Sequence, residues 1–243
     1  QDALGLGSAK VDTAYTGMNA AIKVVDEIKT KLVAAREPGV DRAKVQEEIG
    51  QLQEQLVSIT TASSFSGENW LSVDSGDAAY SATKSIVASF NRSSAGTVSV
   101  STVDIDISST ELFDAADQSG ILDTTFTTTG AGAATVSVSD LDITAAGIDN
   151  TDIDDMISNV DGALASMSTA AATLGAAKSR VSIQKDFVGE LMNAIDRGIS
   201  TLVDADMTAE STRLQALQTQ QQLGIQALSI ANSGAQSVLS LFR

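Results

Sequence analysis

Apolar positions recur in heptads over much of this chain, most regularly near its start. Val11, Ala14, Met18, Ala21, Val25, Ile28, Leu32 and Ala35 follow one another by alternating steps of three and four, the spacing that gives a helix one packing seam. That helix is predicted to stop at Glu37, Pro38 and Gly39, where the chain's only proline stands. A second helix starts after Asp41, a good N-cap, and carries Val45, Ile49, Leu52, Leu56 and Ile59 on one stripe. It ends in a turn over residues 63–69, after which Trp70 and Leu71 are placed to cover the end of a helical bundle. A third helix begins near residues 149–152 and repeats Val160, Met167, Leu174, Val181, Val188, Ile195 and Leu202 at single heptad steps. Ile157, Leu164 and Ala171 are its companion positions, which then give way to Lys178 and Lys185. A fourth helix, capped by Asp206 or Thr208, aligns Leu214, Leu217, Leu228, Ala231, Ala235, Val238 and Phe242, with Gln221 and Gly224 as weak members of the same seam.

Between these helices, residues 73–150 turn to Ser, Thr, Gly, Ala and Asp. Two stretches there alternate at period two, residues 97–107 (Val98, Val100, Val103, Ile105, Ile107) and residues 134–143 (Val136, Val138, Leu141, Ile143). The second changes phase near Ser139 and Asp140, which fits a bulge or a turn. Residues 77–90 and 109–116 are expected as short helices. The fold class that follows is mostly α: a rod of long antiparallel heptad helices with a small inserted α+β outer domain. The division is residues 1–72, the N-terminal half of the rod; 73–150, the variable outer module; 151–203, the C-terminal core helix; and 204–243, a terminal helix.

Charge sharpens this division. Of the net −16, the middle residues 73–155 hold 14 acids against 2 bases, while the flanks are close to balanced. Near-neutral ends around an acidic middle suggest that the ends associate and the middle faces solvent. No basic patch exists to neutralise phosphates, so nucleic acid is not an expected partner. No apolar run approaches the length of a membrane span, so membrane insertion is not expected either, and no cleavable signal peptide is visible at Gln1.

Candidate chemistry is sparse. The chain has neither Cys nor His, which removes disulfides, thiolate nucleophiles and the usual general base together. The aspartate pairs Asp104/Asp106 and Asp140/Asp142 lack the Gly and Glu of a calcium loop and read as solvent faces of strands. Asp152, Asp154 and Asp155 read as negative charge at the start of the third helix. Residues 81–84 (Ser-Ala-Thr-Lys) match S-x-x-K, but its companion motifs are missing. Gly5–Leu6–Gly7 and Gly130–Ala131–Gly132 lack the third glycine of a dinucleotide loop and read as flexible or turn residues. No catalytic residue, no metal ligand and no cofactor is assigned, and an enzyme is the least expected class.

The terminal helix carries more. After Met207 its only charged side chains are Glu210, Arg213 and Arg243, so it is poorly suited to standing free in water. Its opening DADMTAES, the spacing of Leu217 and Gln218 within RLQALQTQQ, the pair Ala231 and Asn232, and the close Leu239–Ser240–Leu241–Phe242 resemble the C-terminal region of bacterial flagellin. A second block, ASSFSGENWL at residues 62–71, resembles the turn that leaves the N-terminal flagellin core in alphaproteobacterial forms. The resemblance covers residues 1–72 and 151–243. The family's N-terminal arm would precede Gln1, so the sequence reads as a fragment or as a numbering that begins late.

This resemblance implies a structural, extracellular subunit of the flagellar filament that polymerises with itself to serve swimming motility. It implies export by the flagellar type III apparatus, with an export chaperone and junction and cap proteins as partners. The expected self-assembly residues are Leu214, Leu217, Gln218, Gln221, Leu228, Ala231, Asn232, Val238, Leu239 and Phe242, with the glutamines bonding between neighbouring terminal helices. The expected core seam is Val11, Met18, Val25, Ile28, Leu32, Ile49, Leu52, Leu56, Val160, Met167, Leu174, Val181, Val188 and Ile195. Residues 204–243 are expected to gain order on assembly, since lone helices are marginal. The stretch Asp26–Glu27–Ile28–Lys29–Thr30–Lys31–Leu32 departs from the arginine-rich motif sensed by the animal Toll-like receptor for flagellin, which implies weak or no activation. Two other readings share flagellin-like ends: a hook–filament junction protein, and a cell-surface polysaccharide-binding homologue.

Overall fold

The computed structural model describes residues 2–92 and 96–241. Helix α1 (Asp2–Ala35) and helix α2 (Arg42–Ala62) are joined by the turn at Pro38 and Gly39, where Gly39 takes the left-handed φ of 88°. Asp41 caps α2 by accepting from the Ala43 N–H at 3.2 Å. Strands β1 (Ser64–Phe65) and β2 (Glu68–Asn69) form a hairpin whose two-residue turn, Ser66 and Gly67, has positive φ at both positions. Strand β3 (Ser72–Val73) follows. The rest of the middle region holds β4 (Thr83–Arg92), β5 (Val98–Asp106), β6 (Phe113–Asp114), β7 (Phe126–Thr127) and β8 (Thr135–Val136). Pairing is β1–β2, β4–β5 and β7–β8 antiparallel and β3–β6 parallel, giving four two-stranded sheets among the described residues. Helix α3 (Asn150–Leu241) closes the order.

The chain divides into two compact units, Gln1–Val188 and Gly189–Arg243, and α3 supplies residues to both. In the first unit, α1 runs antiparallel to α3. Asp12 pairs with Lys178, Lys29 with Asp161 and Arg36 with Asp154, while Tyr15 lies against Gly175. In every one of these pairs the two residue numbers add to the same total, as a constant antiparallel register requires. Between the helices sit Val11, Met18, Val25, Ile28 and Leu32 of α1 and Val160, Met167, Leu174 and Val181 of α3, all fully buried. Each such side chain contributes about 1.5–3 kcal/mol of burial, whereas exposed ion pairs contribute about 0–1 kcal/mol. Burial therefore holds the seam, and the ion pairs select its register.

Two glycines of α1 seat the remaining structure. A Cβ on Gly7 would stand 2.3 Å from Cγ2 of Ile86 on β4, and one on Gly17 would meet Oγ of Ser63 at 2.1 Å and Cδ1 of Leu71 at 2.8 Å. Gly5 and Gly7, expected as flexible or turn residues, thus lie inside a helix, and Gly7 is a packing seat for the hairpin. Trp70 and Leu71 are both buried, and Leu71 O accepts from the Leu112 and Phe113 N–H groups.

Three local expectations are overturned. Residues 77–90, expected as a helix, instead lead into β4, because nine residues of that strand find partners in β5, with one irregularity between Val87 and Ser89. Residues 109–116, also expected as a helix, hold β6 paired to β3. Residues 134–143 bury Val136, Val138, Leu141 and Ile143 as the alternation required, yet only Thr135–Val136 is strand and Val138–Asp140 is a single 3-10 turn. Past the Ser139 N–H, which donates to Leu122 O, a side chain bonds the segment: Gln46 of α2 donates to Leu141 O at 2.8 Å and accepts from the Ile143 N–H at 2.9 Å.

The aspartates of the middle region are turn builders. Asp74, Asp77, Asp106, Asp114, Asp117 and Asp142 each accept from the backbone N–H two residues on, at 2.8–3.0 Å. Asp104 stays exposed and accepts from the Ser85 hydroxyl across the hairpin. Asp114 also accepts from the Ser75 N–H, and these bonds hold its carboxyl far below the usual range. Burial instead pushes Glu111 up, and the Tyr80 hydroxyl that donates to it is raised to about 12.

The glycine seats predict opposite outcomes for one substitution. Gly17→Ala will lower unfolding stability by about 1–3 kcal/mol, since a crowded contact outweighs helix propensity. Gly50→Ala on α2, where a Cβ meets nothing within 4 Å, will raise it by up to about 1 kcal/mol. Urea unfolding of the two variants measures both.

Candidate assembly surface

Helix α3 is anchored at its start. Asp149 caps it by accepting from the Thr151 and Asp152 N–H groups at 2.8 and 3.0 Å. The loop after β7 wraps this end. Thr129 donates to Asp155 through its N–H and its hydroxyl, Ala131 N–H to Asp149, and Gly132 N–H to Asp152. Asp152 is fully buried. The Asp149 N–H, then the Thr128 hydroxyl, hold its carboxyl down at about 2. A Cβ on Gly130 would stand 2.5 Å from oxygens of both Asp149 and Asp152, so the loop's first glycine is demanded by close approach to the carboxylates. The aspartates expected as simple helix-end charge therefore also clamp a loop.

Beyond that anchor the burial of α3 changes while its sequence pattern does not. Val160, Met167, Leu174 and Val181 are buried, Val188 is half-buried, and Ile195 is 52% exposed. Ile195, expected in the core seam, belongs instead to the unit Gly189–Arg243. The ion pairs that fix the α1–α3 register extend along α3 as far as Lys178, and Ile195 lies beyond them. The other seam positions lie as follows: Ile49 and Leu56 of α2 are buried, and Leu52 is half-buried.

In the second unit the expected terminal helix does not begin afresh at Asp206 or Thr208, because α3 passes through them unbroken. The residues between Gly198 and Gly224 include no glycine or proline, and a capping side chain without a breaker does not end a helix. Leu214, Leu217, Gln218, Gln221, Leu228, Ala231 and Asn232 are all exposed. Phe242 lies outside the described residues, as do the side chains of Val238 and Leu239.

Sequence reasoning missed further apolar residues here. Leu191, Ile199, Val203 and Met207 are exposed and, with the already expected Ile195, follow at steps of four to form one ridge. Leu223 and Ile230 are also exposed. At about 100° per residue they fall on the face opposite Gln221 and Leu228. The signal was available as a second heptad step, 223 to 230, but a search for one seam passes over it.

No chemistry competes with this surface. Ser81 donates to Thr83 O rather than facing Lys84, whose ammonium lies over the Tyr80 ring at 5.9 Å. Among the described residues no acidic cluster is arranged to hold a metal ion, and no helix is long and apolar enough to cross a membrane.

A helix that carries large apolar residues on opposite faces points to a self-associating structural protein. The comparisons with known proteins place it more closely. Residues 1–75 match the bacterial flagellin N-terminal helical region, and residues 157–242 match the bacterial flagellin C-terminal helical region. Flagellin C of Rhizobium meliloti strain 1021 is 49% identical over 100% of this chain and 80% of its own length. Flagellin A of the same strain is 43% identical, with 84% of its length covered, and the flagellin of Brucella melitensis 42%, with 77% covered. The crystal structure of Bacillus cereus flagellin is 16% identical, with a TM-score of 0.45 over 75% of this chain and 83% of that one. The chain belongs to the bacterial flagellins, in their rhizobial form. It is a structural subunit of the extracellular flagellar filament, which self-polymerises and serves motility.

The loop clamp predicts a pH-dependent variant. Folding lowers the Asp152 carboxyl from 3.8 to about 2, so its stabilisation is complete above that unfolded value and is lost as pH falls through the folded one. Asp152→Asn will therefore lower the urea midpoint at pH 7. The gap to the parent protein will close progressively as the pH is taken below 4.

Proposed function

We propose that α3 divides its labour between the two units: its first part completes the subunit's core, and residues 204–243 are the assembly helix. The observation that carries this reading is the two-sided exposure of apolar residues, Leu214, Leu217 and Leu228 on one face and Leu223 and Ile230 on the other. A surface helix needs one apolar stripe, while a helix apolar on opposite faces is one covered from both sides. In a homopolymer neighbouring copies supply covering of this kind. Gln218, Gln221 and Asn232 supply hydrogen bonds between those helices, and Val238, Leu239 and Phe242 extend the packing. Assembly of this kind is heterologous and open-ended, as a filament requires.

The division into residues 1–72, 73–150, 151–203 and 204–243 follows the same reading, with the acidic middle turned outward. No catalytic role is assigned to any residue. Export by the flagellar type III apparatus, and handling by an export chaperone and by junction and cap proteins, complete the proposal. Within the stretch 26–32, Lys29 and Lys31 are engaged by Asp161 and Glu48. That engagement supports weak or absent activation of the flagellin-sensing Toll-like receptor, to be read in a cell reporter assay against a strongly activating flagellin.

Two single substitutions test the two-sided surface. Leu228→Asp and Ile230→Asp will each abolish filament growth by electron microscopy, while the thermal unfolding of the first unit stays within about 0.5 kcal/mol of the parent, as for surface changes. Normal filaments from Ile230→Asp would reduce the surface to a single seam.

A further inference from the structure

A groove of the first unit runs between segment 119–126 and the stretch of α3 around Gly162, with a volume of about 460 Å³. None of the residues lining it is charged, and Ile121 and Phe126 give it an apolar side. The constant register sets its α3 wall, Ser158 to Ser166, level with residues 24–32 of α1. Three hydroxyls on its walls have spent their one hydrogen inside the chain. Ser119 donates to Asp114 at 3.2 Å, Thr124 to Gly120 O at 2.7 Å and Ser166 to Gly162 O at 3.0 Å. Asn159 turns its amide nitrogen to Asp155 O at 2.9 Å, which leaves its side-chain oxygen to accept. Toward a ligand these four residues offer oxygen lone pairs, while the hydroxyls of Thr125 and Ser158 can turn either way. No other group of the chain stands within 4 Å of a Cβ at Gly162, so the protein does not fill the space beside it.

The charge around the groove has one sign. Asp117, Asp123, Asp155 and Asp161 lie within three residues of its walls along the chain, and among the described residues only Asp161 is paired with a cation, Lys29. Neither Lys84 nor Arg92, the two bases of residues 73–155, lines it. Acceptor oxygens beside a half-buried aromatic ring, in a field of carboxylates, suit a cation rich in donors. We propose that this groove binds an aliphatic polyammonium ligand, a flexible alkyl chain carrying protonated amines. Its ammonium groups donate to the oxygens of Ser119, Thr124, Asn159 and Ser166, its methylenes lie on Ile121, and one charge faces the Phe126 ring. The same field repels an anion. A neutral sugar supplies donors but gains nothing from the carboxylates. The filament is extracellular, so the ligand is one met outside the cell, and the assignment is independent of the assembly reading above.

The test titrates spermidine into the purified subunit by isothermal calorimetry at about 0.15 M salt, where diffuse attraction to the net charge is screened. One saturable site per chain is expected, and triacetylated spermidine, which carries no charge, is expected not to fill it. Gly162→Leu grows a side chain into the open space and is expected to weaken binding roughly tenfold or more with thermal unfolding preserved. Phe126→Leu keeps the apolar wall but removes the ring, for a loss of about threefold. Heats that never saturate would overturn the proposal, as would equal affinity for the uncharged analogue. Spermidine held as tightly by Gly162→Leu as by the parent would overturn it too. If Gly162→Leu fails to fold, Phe126→Leu decides, and undiminished affinity there overturns the site.

Discussion

Because α1 and α3 pack antiparallel at constant register, nearly every other feature of the first unit is positioned by their seam. Its apolar residues on both helices are fully buried, and burial contributes more than the ion pairs beside it. Everything else attaches to it at defined points. The hairpin β4–β5 rests on α1 through Ile86 at Gly7, and the turn after α2 rests on it through Ser63 and Leu71 at Gly17. The 129–132 loop is held to α3 by carboxylates. These attachments are short-range and exacting, whereas the seam tolerates small local changes. The seam decides where things sit, and the contacts at the glycines and aspartates decide how closely.

The acidic middle region illustrates how a segment with few large apolar residues stays ordered. Fourteen acids with two bases in residues 73–155 would repel one another if each simply faced water. Instead, many aspartates accept backbone N–H groups two residues on, which neutralises part of their field and replaces the ladder bonds that longer strands would supply. Short strands suffice because the turns between them are bonded locally. Local hydrogen bonds, from the Ser108 hydroxyl and N–H to Asp106, from Ser75 and Ala116 to Asp114, and from Asp149, Thr128 and Gly132 to Asp152, lower these carboxyl pKa values. Order in this region is therefore linked to the ionised state. Glu111 and Asp123, raised by burial, run the opposite way and moderate that dependence.

Much of this was legible in the sequence, and the limits have physical causes. Heptads report which helix face is apolar, and Val11 to Leu32 and Val160 to Val181 lie buried on that account. Asp41 as an N-cap was equally local. The strand β4 was not legible, because its pairing partner β5 is a separate stretch of chain, and residues 83–92 interleave Ile86, Val87 and Ala88 without clean alternation. The segment 136–143 showed its buried face, but past Ser139 its backbone is bonded by the Gln46 side chain, which no periodicity encodes. The aspartate turns left a signal, Asp followed two places on by a small residue, that reads as solvated charge unless the backbone N–H groups are counted.

Ile195 marks the deeper limit. Its heptad position is as good as that of Val181, yet one is buried and the other is not. A heptad specifies an apolar face and is silent on whether the covering partner comes from the same chain or from another copy. The opposite-face residues Leu223 and Ile230 carry the point further. An intramolecular seam has no use for apolar residues on the far side of a helix, so their presence requires more than one covering neighbour. On the assembly reading proposed above, contacts with neighbouring copies cover such faces while the acidic middle region stays turned outward. The apolar area that such contacts remove from water would then supply a large share of the free energy of polymerisation.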